Sequence, residues 1–236
     1  MQKSMIKFLS IADCISLINA CFGFLAILIL FSNFDFNIVR VSFSLILLAL
    51  LADGLDGIVA RKNRESNLGD YLEAMADMIS MGIAPSVFVF YLYFDDISTD
   101  LIIQIILILV LVFFIICNMI RLSSFHLIKN KSFFIGIPAS VSTIFIIIAS
   151  FIRVNIEYIL VLIFALSLLT ISQIRFPKPK IKTNTIAVVL IILTLIIGEL
   201  YYYIAPILLF FALTIYVIAG PIFARKALHD ISKLNS

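Results

Sequence analysis

Along most of the chain the apolar positions neither alternate nor recur once per turn. They run on for about 20 residues at a time, the length an α-helix needs to cross the hydrocarbon core of a bilayer. Such runs fall at 14–32, 38–60, 70–94, 101–124, 134–152, 156–173, 184–202 and 204–222, and they predict eight spans. The stretch 134–173 also admits fewer, longer segments or a re-entrant one. A closed membrane barrel would show alternating rather than continuous apolar positions, which sets that class aside. The pattern therefore predicts an all-α integral membrane protein of about eight transmembrane helices, a single polytopic domain over residues 1–236. Because the runs recur along the whole chain, a cleaved leader followed by a soluble domain is not expected.

Composition agrees. Of 236 residues, 63% are hydrophobic and only 13% charged, with a mean hydropathy of +1.20. A soluble domain of this size could not hide that much apolar surface. The few charges are sorted. Fifteen basic residues (Lys3, Lys7, Arg61, Lys62, Arg64, Arg121, Lys129, Lys131, Arg175, Lys178, Lys180, Lys182, Arg225, Lys226 and Lys233) precede the first span or follow an even one. Arg40 and Arg153 fall on the other side. The excess of Lys and Arg predicts that both termini face the cytoplasm, and it reads the basic runs as topology signals. Cys14, Cys21 and Cys117 lie inside apolar segments without a CxxC or Cys/His pattern, as small residues within the membrane do. His126 and His229 have no partner pattern, no phosphate-cradling glycine signature is present, and no nucleic-acid partner is expected.

One stretch breaks the apolar rule. "LADGLDGIVARKNRESNLGDYLEAMADMIS" (51–80) holds six of the fourteen acidic residues. Asp53, Asp56, Gly57 and Ala60 stand at i, i+3, i+4 and i+7, on one face at the end of the second span. Gly69, Glu73 and Asp77 stand at i, i+4 and i+8, on one face at the start of the third. The short loop makes these helices antiparallel neighbours, so Asp53, Asp56, Glu73 and Asp77 are expected to converge near the membrane interface. Carboxylates gathered in a low dielectric repel and are costly to desolvate, so they need protons or cations. Oxygen-only ligands favour Mg²⁺ or Mn²⁺, or Ca²⁺, over zinc. Gly57, Ala60 and Gly69 leave room for a ligand, and Arg61 and Ser66 offer phosphate donors at the rim. Helix-start acidity accounts for Asp70 but not for Asp53 or Asp77, which lie about two turns inside their helices.

With those residues in hand, "DGLDGIVAR…G…E…D" resembles the signature of the CDP-alcohol phosphotransferase family, D-x2-D-G-x2-A-R-x8-G-x3-D-x3-D. Two departures stand out: the Arg61-to-Gly69 gap is seven residues, and Glu73 replaces the third aspartate. The resemblance implies a six-helix core (10–180 here) with an extra C-terminal helical pair (184–222). It implies a two-metal site of Mg²⁺ or Mn²⁺ on Asp53, Asp56, Glu73 and Asp77, with Asp77 as proton acceptor. Gly57, Ala60, Arg61, Ser66 and Gly69 would contact the CDP-linked lipid, and a homodimer is the oligomeric form such folds tend to adopt.

Further segments resemble the branch of that family whose acceptor is L-serine. In "ADCISLINACFGFLAI" (12–27), Asp13, Ser16 and Asn19 hold the polar positions that would face the donor's nucleotide. "SMGIAPS" (80–86), "FFIGIPASVS" (133–142) and "ISQIRFPKPK" (171–180) match other segments of the branch. Arg121, at the apolar edge of the fourth span, is a candidate for a phosphate or the serine carboxylate, although a cation there also suits the helix dipole and the topology rule. The implied reaction is transfer of a phosphatidyl or archaetidyl group to L-serine with release of CMP. Glycerol 3-phosphate or inositol phosphate as acceptor, an intramembrane cation transporter and an inactive homologue remain as alternatives. Acids confined to one hairpin near one interface speak against transport.

Overall fold

The computed structural model describes residues 9–60, 68–125, 133–178, 181–197 and 200–234. Its first helix, α1 (Ile11–Leu30), opens on a reciprocal cap. The Ser10 hydroxyl accepts from the Asp13 amide at 3.2 Å, and the Asp13 carboxylate accepts from the Ser10 amide at 2.7 Å. Two donors that a helix start leaves orphaned are thereby satisfied. Helix α2 (Ile38–Ala60) returns antiparallel along α1, and Ser42 Oγ donates to the Ala26 carbonyl across the pair at 2.8 Å. The next span is continuous but not uniform: α3 (Gly69–Asp77), a π-helical segment (Met78–Ile83) and α4 (Ala84–Tyr93) follow without a break. Then come α5 (Leu101–Phe125), α6 (Ala139–Phe151), α7 (Ile156–Thr170), α8 (Ile181–Ile197) and α9 (Leu200–Leu234).

Among the described residues, five stretches are long and apolar enough to cross a bilayer: Ile11–Leu30, Ile38–Asp56, Gly69–Tyr93, Leu101–Ser124 and Tyr203–Arg225. Shorter apolar helices cover 139–151, 156–170 and 183–197, so apolar helical segments stand in all eight expected places. Large aliphatic side chains such as Ile105, Leu109, Val112 and Ile116 of α5 point outward, as a lipid-facing surface requires. The protein is an all-α integral membrane protein.

The fifth segment departs from expectation. Rather than a helix from 134, the chain forms β1 (Phe133–Ile135), paired antiparallel with β2 (Arg175–Pro177) so that Phe134 faces Phe176. Gly136 then turns with φ +73°, its amide donating to the Ile174 carbonyl at 2.8 Å. A Cβ on Gly136 would lie 2.3 Å from the Thr170 carbonyl oxygen, so only glycine fits. Pro138 caps α6, which has 13 residues and a rise of about 20 Å, short of the ~30 Å hydrocarbon core. The shortness is tolerable because α6 is enclosed by α2, α4, α7 and α9, with Ser142 to Phe151 buried. Since α6 and α7 are separate helices, ending at Phe151 and Thr170, a single long helix does not fill 134–173.

At the far end of α4 and α6, Arg153 (φ 57°) donates to the Leu92 carbonyl and pairs with Asp96 at 3.1 Å. The Tyr93 hydroxyl donates to the Val154 carbonyl at 2.6 Å, so the two helices are tied end to end.

Candidate metal centre

α2 and α3 bring three acids to one point. Carboxylate oxygens of Asp53, Glu73 and Asp77 lie within 4.8 Å of one another, Asp77 buried and the other two partly exposed. Asp53 and Asp77 are within hydrogen-bonding reach of each other. Carboxylates this close need a shared proton or a cation between them. The all-oxygen donor set suits a hard divalent ion, Mg²⁺ or Mn²⁺, and not the sulfur and nitrogen sets that select zinc. A glutamate at position 73 reaches this group despite its extra methylene.

Asp56 stands one step apart. It is 3% exposed, and Ser16 Oγ of α1 donates to its Oδ2 at 2.6 Å. It remains close enough for its charge to act on both Asp53 and Asp77. One turn along α1, Asn19 Nδ2 donates to Asp77 Oδ1 at 2.9 Å. The amide oxygen of Asn19 is buried without a hydrogen-bond partner, an unfilled acceptor beside the acids. Polar positions of α1 that suggested nucleotide contacts thus lie against the acids: Ser16 on Asp56 and Asn19 on Asp77. The third, Asp13, is 2% exposed and engaged in the cap of its own helix.

Close approach of α1 makes this possible. A Cβ on Gly23 would lie 2.7 Å from Ser80 Cα, so a larger residue would push the helices apart and draw Asn19 off Asp77. Glycine at a helix contact in a membrane serves this purpose.

Of the remaining candidates, Gly57 and Ala60 lie in the last turn of α2 and Gly69 begins α3. Arg61 and Ser66 lie outside the described residues. Arg121 is half-buried near the end of α5, within electrostatic reach of the Tyr216 hydroxyl on α9, which itself donates to the Pro177 carbonyl at 3.1 Å. Asn118, one turn before Arg121, was not singled out from the sequence. Its side chain is fully buried beside Gly82, with Nδ2 on the Phe114 carbonyl and Oδ1 without a partner. The signal available was an amide in the middle of an apolar run, where a polar group is costly. Cys14, Cys21 and Cys117 are free thiols.

Comparison with known proteins adds an independent finding. A family model described as CDP-alcohol phosphatidyltransferase matches residues 9–220. A CDP-diacylglycerol–serine O-phosphatidyltransferase of Methanocaldococcus jannaschii is 31% identical over 175 residues, covering 73% of this chain and 76% of the relative. An archaetidylserine synthase of Methanothermobacter thermautotrophicus is 30% identical over 188 residues, covering 75% and 73%. A CDP-diacylglycerol–serine O-phosphatidyltransferase of Helicobacter pylori is 29% identical over 194 residues, covering 76% and 78%.

Proposed function

We propose that this chain, which belongs to the CDP-alcohol phosphatidyltransferase family, transfers a phosphatidyl or archaetidyl group from a CDP-linked lipid to L-serine and releases CMP. The observation that carries the reading is the convergence of Asp53, Glu73 and Asp77 at the end of a membrane hairpin, within a family that needs such a centre. The choice of serine is supported by relatives named for that acceptor.

Asp53, Asp56, Glu73 and Asp77 would hold two divalent ions, which supply charge neutralisation for the donor's phosphates and for the leaving CMP. The chain's own groups supply orientation and proton transfer. Asn19 fixes Asp77 through Oδ1, which leaves the other oxygen to take the proton of the serine hydroxyl. As that proton leaves, the serine oxygen bonds to the lipid-bearing phosphorus and the bond from that phosphorus to CMP breaks. Ser16 holds Asp56 in the same way that Asn19 holds Asp77. Gly57, Ala60 and Gly69 keep the helix faces low enough for the pyrophosphate, Arg61 and Ser66 supply donors to it, and Arg121 takes the acceptor's carboxylate. The lipid tails stay in the bilayer while the nucleotide enters from the water. The acid-bearing end and both termini face the cytoplasm, a reading supported by the fifteen-to-two division of basic residues. Residues 10–180 form the catalytic core and 184–222 an added pair, and the protein works as a homodimer.

Chelator-stripped protein should release no CMP until Mg²⁺ or Mn²⁺ is returned. Asp53→Asn, Asp56→Asn and Asp77→Asn should each abolish release while remaining folded in detergent. Near-wild-type release by any of the three would contradict the assignment.

A further inference from the structure

The π-helical segment begins at the residue after Asp77 and has a traceable cause. Pro85 carries no N–H, so in a regular helix the Met81 carbonyl four residues earlier would lose its donor and meet the proline ring. The chain widens instead: the Ala84 amide reaches back five residues to the Ile79 carbonyl. The Met81 carbonyl takes its hydrogen bond from outside the helix, from Thr143 Oγ1 of α6 at 2.8 Å. Both partners are buried, Thr143 at 0% and Met81 at 2% exposure.

We propose that Thr143 is a positioning residue for the acidic centre, its hydroxyl holding the wide turn that aims Asp77 and Glu73 at Asp53. One extra residue in a turn rotates the helix before it by about 100° relative to the helix after it. α4, beyond the turn, is fixed by the tie of Tyr93 to Val154 and by Ser86 Oγ on the Gly82 carbonyl at 2.7 Å. The direction of Asp77, immediately before the turn, therefore depends on where the widening is placed. Thr143 from α6 and Gly23 of α1 against Ser80 are among the contacts that place it, and Thr143 is the one that hydrogen-bonds its backbone. The segment "FFIGIPASVS", just ahead of Thr143, gains a role by this route, since the turn at Gly136 and the cap at Pro138 start α6 in register for the contact.

The inference rests on reading the acids as metal ligands, so its test reads metal binding directly and needs neither lipid nor serine. The full chain in detergent is titrated with Mn²⁺ and free ion is followed by electron paramagnetic resonance. Thr143→Val keeps the shape and removes the donor, and it should weaken Mn²⁺ binding about three- to ten-fold. Thr143→Ser should restore the affinity to within about two-fold, and Thr143→Cys, a weaker donor, should fall below Ser. Ser42→Ala deletes a buried interhelical bond of the same length, 2.8 Å, away from the acids, and should leave Mn²⁺ affinity unchanged. Wild-type affinity in Thr143→Val, an equal loss in Ser42→Ala, or no rescue by Ser would overturn the inference alone. Should the Val variant not fold, the Ser and Cys variants decide it, equal affinity in the two overturning the proposal. A wild-type chain without an Mn²⁺ site that Glu73→Gln removes would overturn the metal reading itself.

Discussion

At the scale of single residues, Glu73 separates this site from the four-aspartate pattern it otherwise resembles. The glutamate reaches the same point as Asp53 and Asp77, so the helices already accommodate the longer side chain. Glu73→Asp should therefore pull an oxygen back and raise the metal concentration needed for half-maximal CMP release several-fold. Glu73→Gln should lose activity because an amide cannot neutralise the ion. A faster Glu73→Asp enzyme would show that the helices are not adapted to the longer side chain, and full activity in Glu73→Gln would show that this side chain is not a ligand. Asn19→Ala should lower kcat about ten-fold by freeing Asp77 to rotate. Unchanged kcat would mean that Asp77 is held by other contacts. The carboxylates were legible in the sequence because spacing on a helix is arithmetic. The partners of Ser16 and Asn19 were not, because they depend on how far α1 slides along α2 and α3. That register is set by contacts such as Gly23 on Ser80, which no single segment reveals.

At the scale of elements, length and hydropathy placed the helices well except where the chain is enclosed by protein. α6 could shorten because its neighbours, not lipid, cover it. The start of that segment was misread because Phe133, Phe134 and Ile135 are as apolar as a helix would need. Only the pairing with Arg175 to Pro177 makes them a strand. The turn that separates strand from helix is a point of low tolerance. Gly136→Ala adds a Cβ at φ +73° against the Thr170 carbonyl oxygen and should cost about 1–3 kcal/mol. The loss should appear as a lower unfolding midpoint in detergent. An unchanged midpoint would mean that the ribbon does not anchor α6. The π segment was invisible for a related reason: Pro85 signals a disturbance, but only Thr143 shows how it is resolved.

At the scale of the whole molecule, the orientation proposed from the division of basic residues has a direct consequence. In a chain with Cys14, Cys21 and Cys117 replaced by serine, single cysteines at Asp70 or Gln173 should react with an impermeant reagent only from the cytoplasmic side. Cysteines at Ser98 or Asn155 should react only from the opposite side. Reversal of both pairs would place the acidic centre on the wrong face for CMP release into the cytoplasm. The membrane class was legible from the first apolar runs. The acceptor was legible only by resemblance, because a hydroxyl amino acid leaves no periodic mark on a helix. Choice of acceptor is therefore the central claim most in need of a direct measurement. Purified protein with CDP-linked lipid and Mn²⁺ should release CMP on addition of L-serine and form a serine-headed lipid detectable by mass. Glycerol 3-phosphate and inositol phosphate should give neither. Release of CMP with a phosphorylated alcohol while serine stays inert would contradict the account.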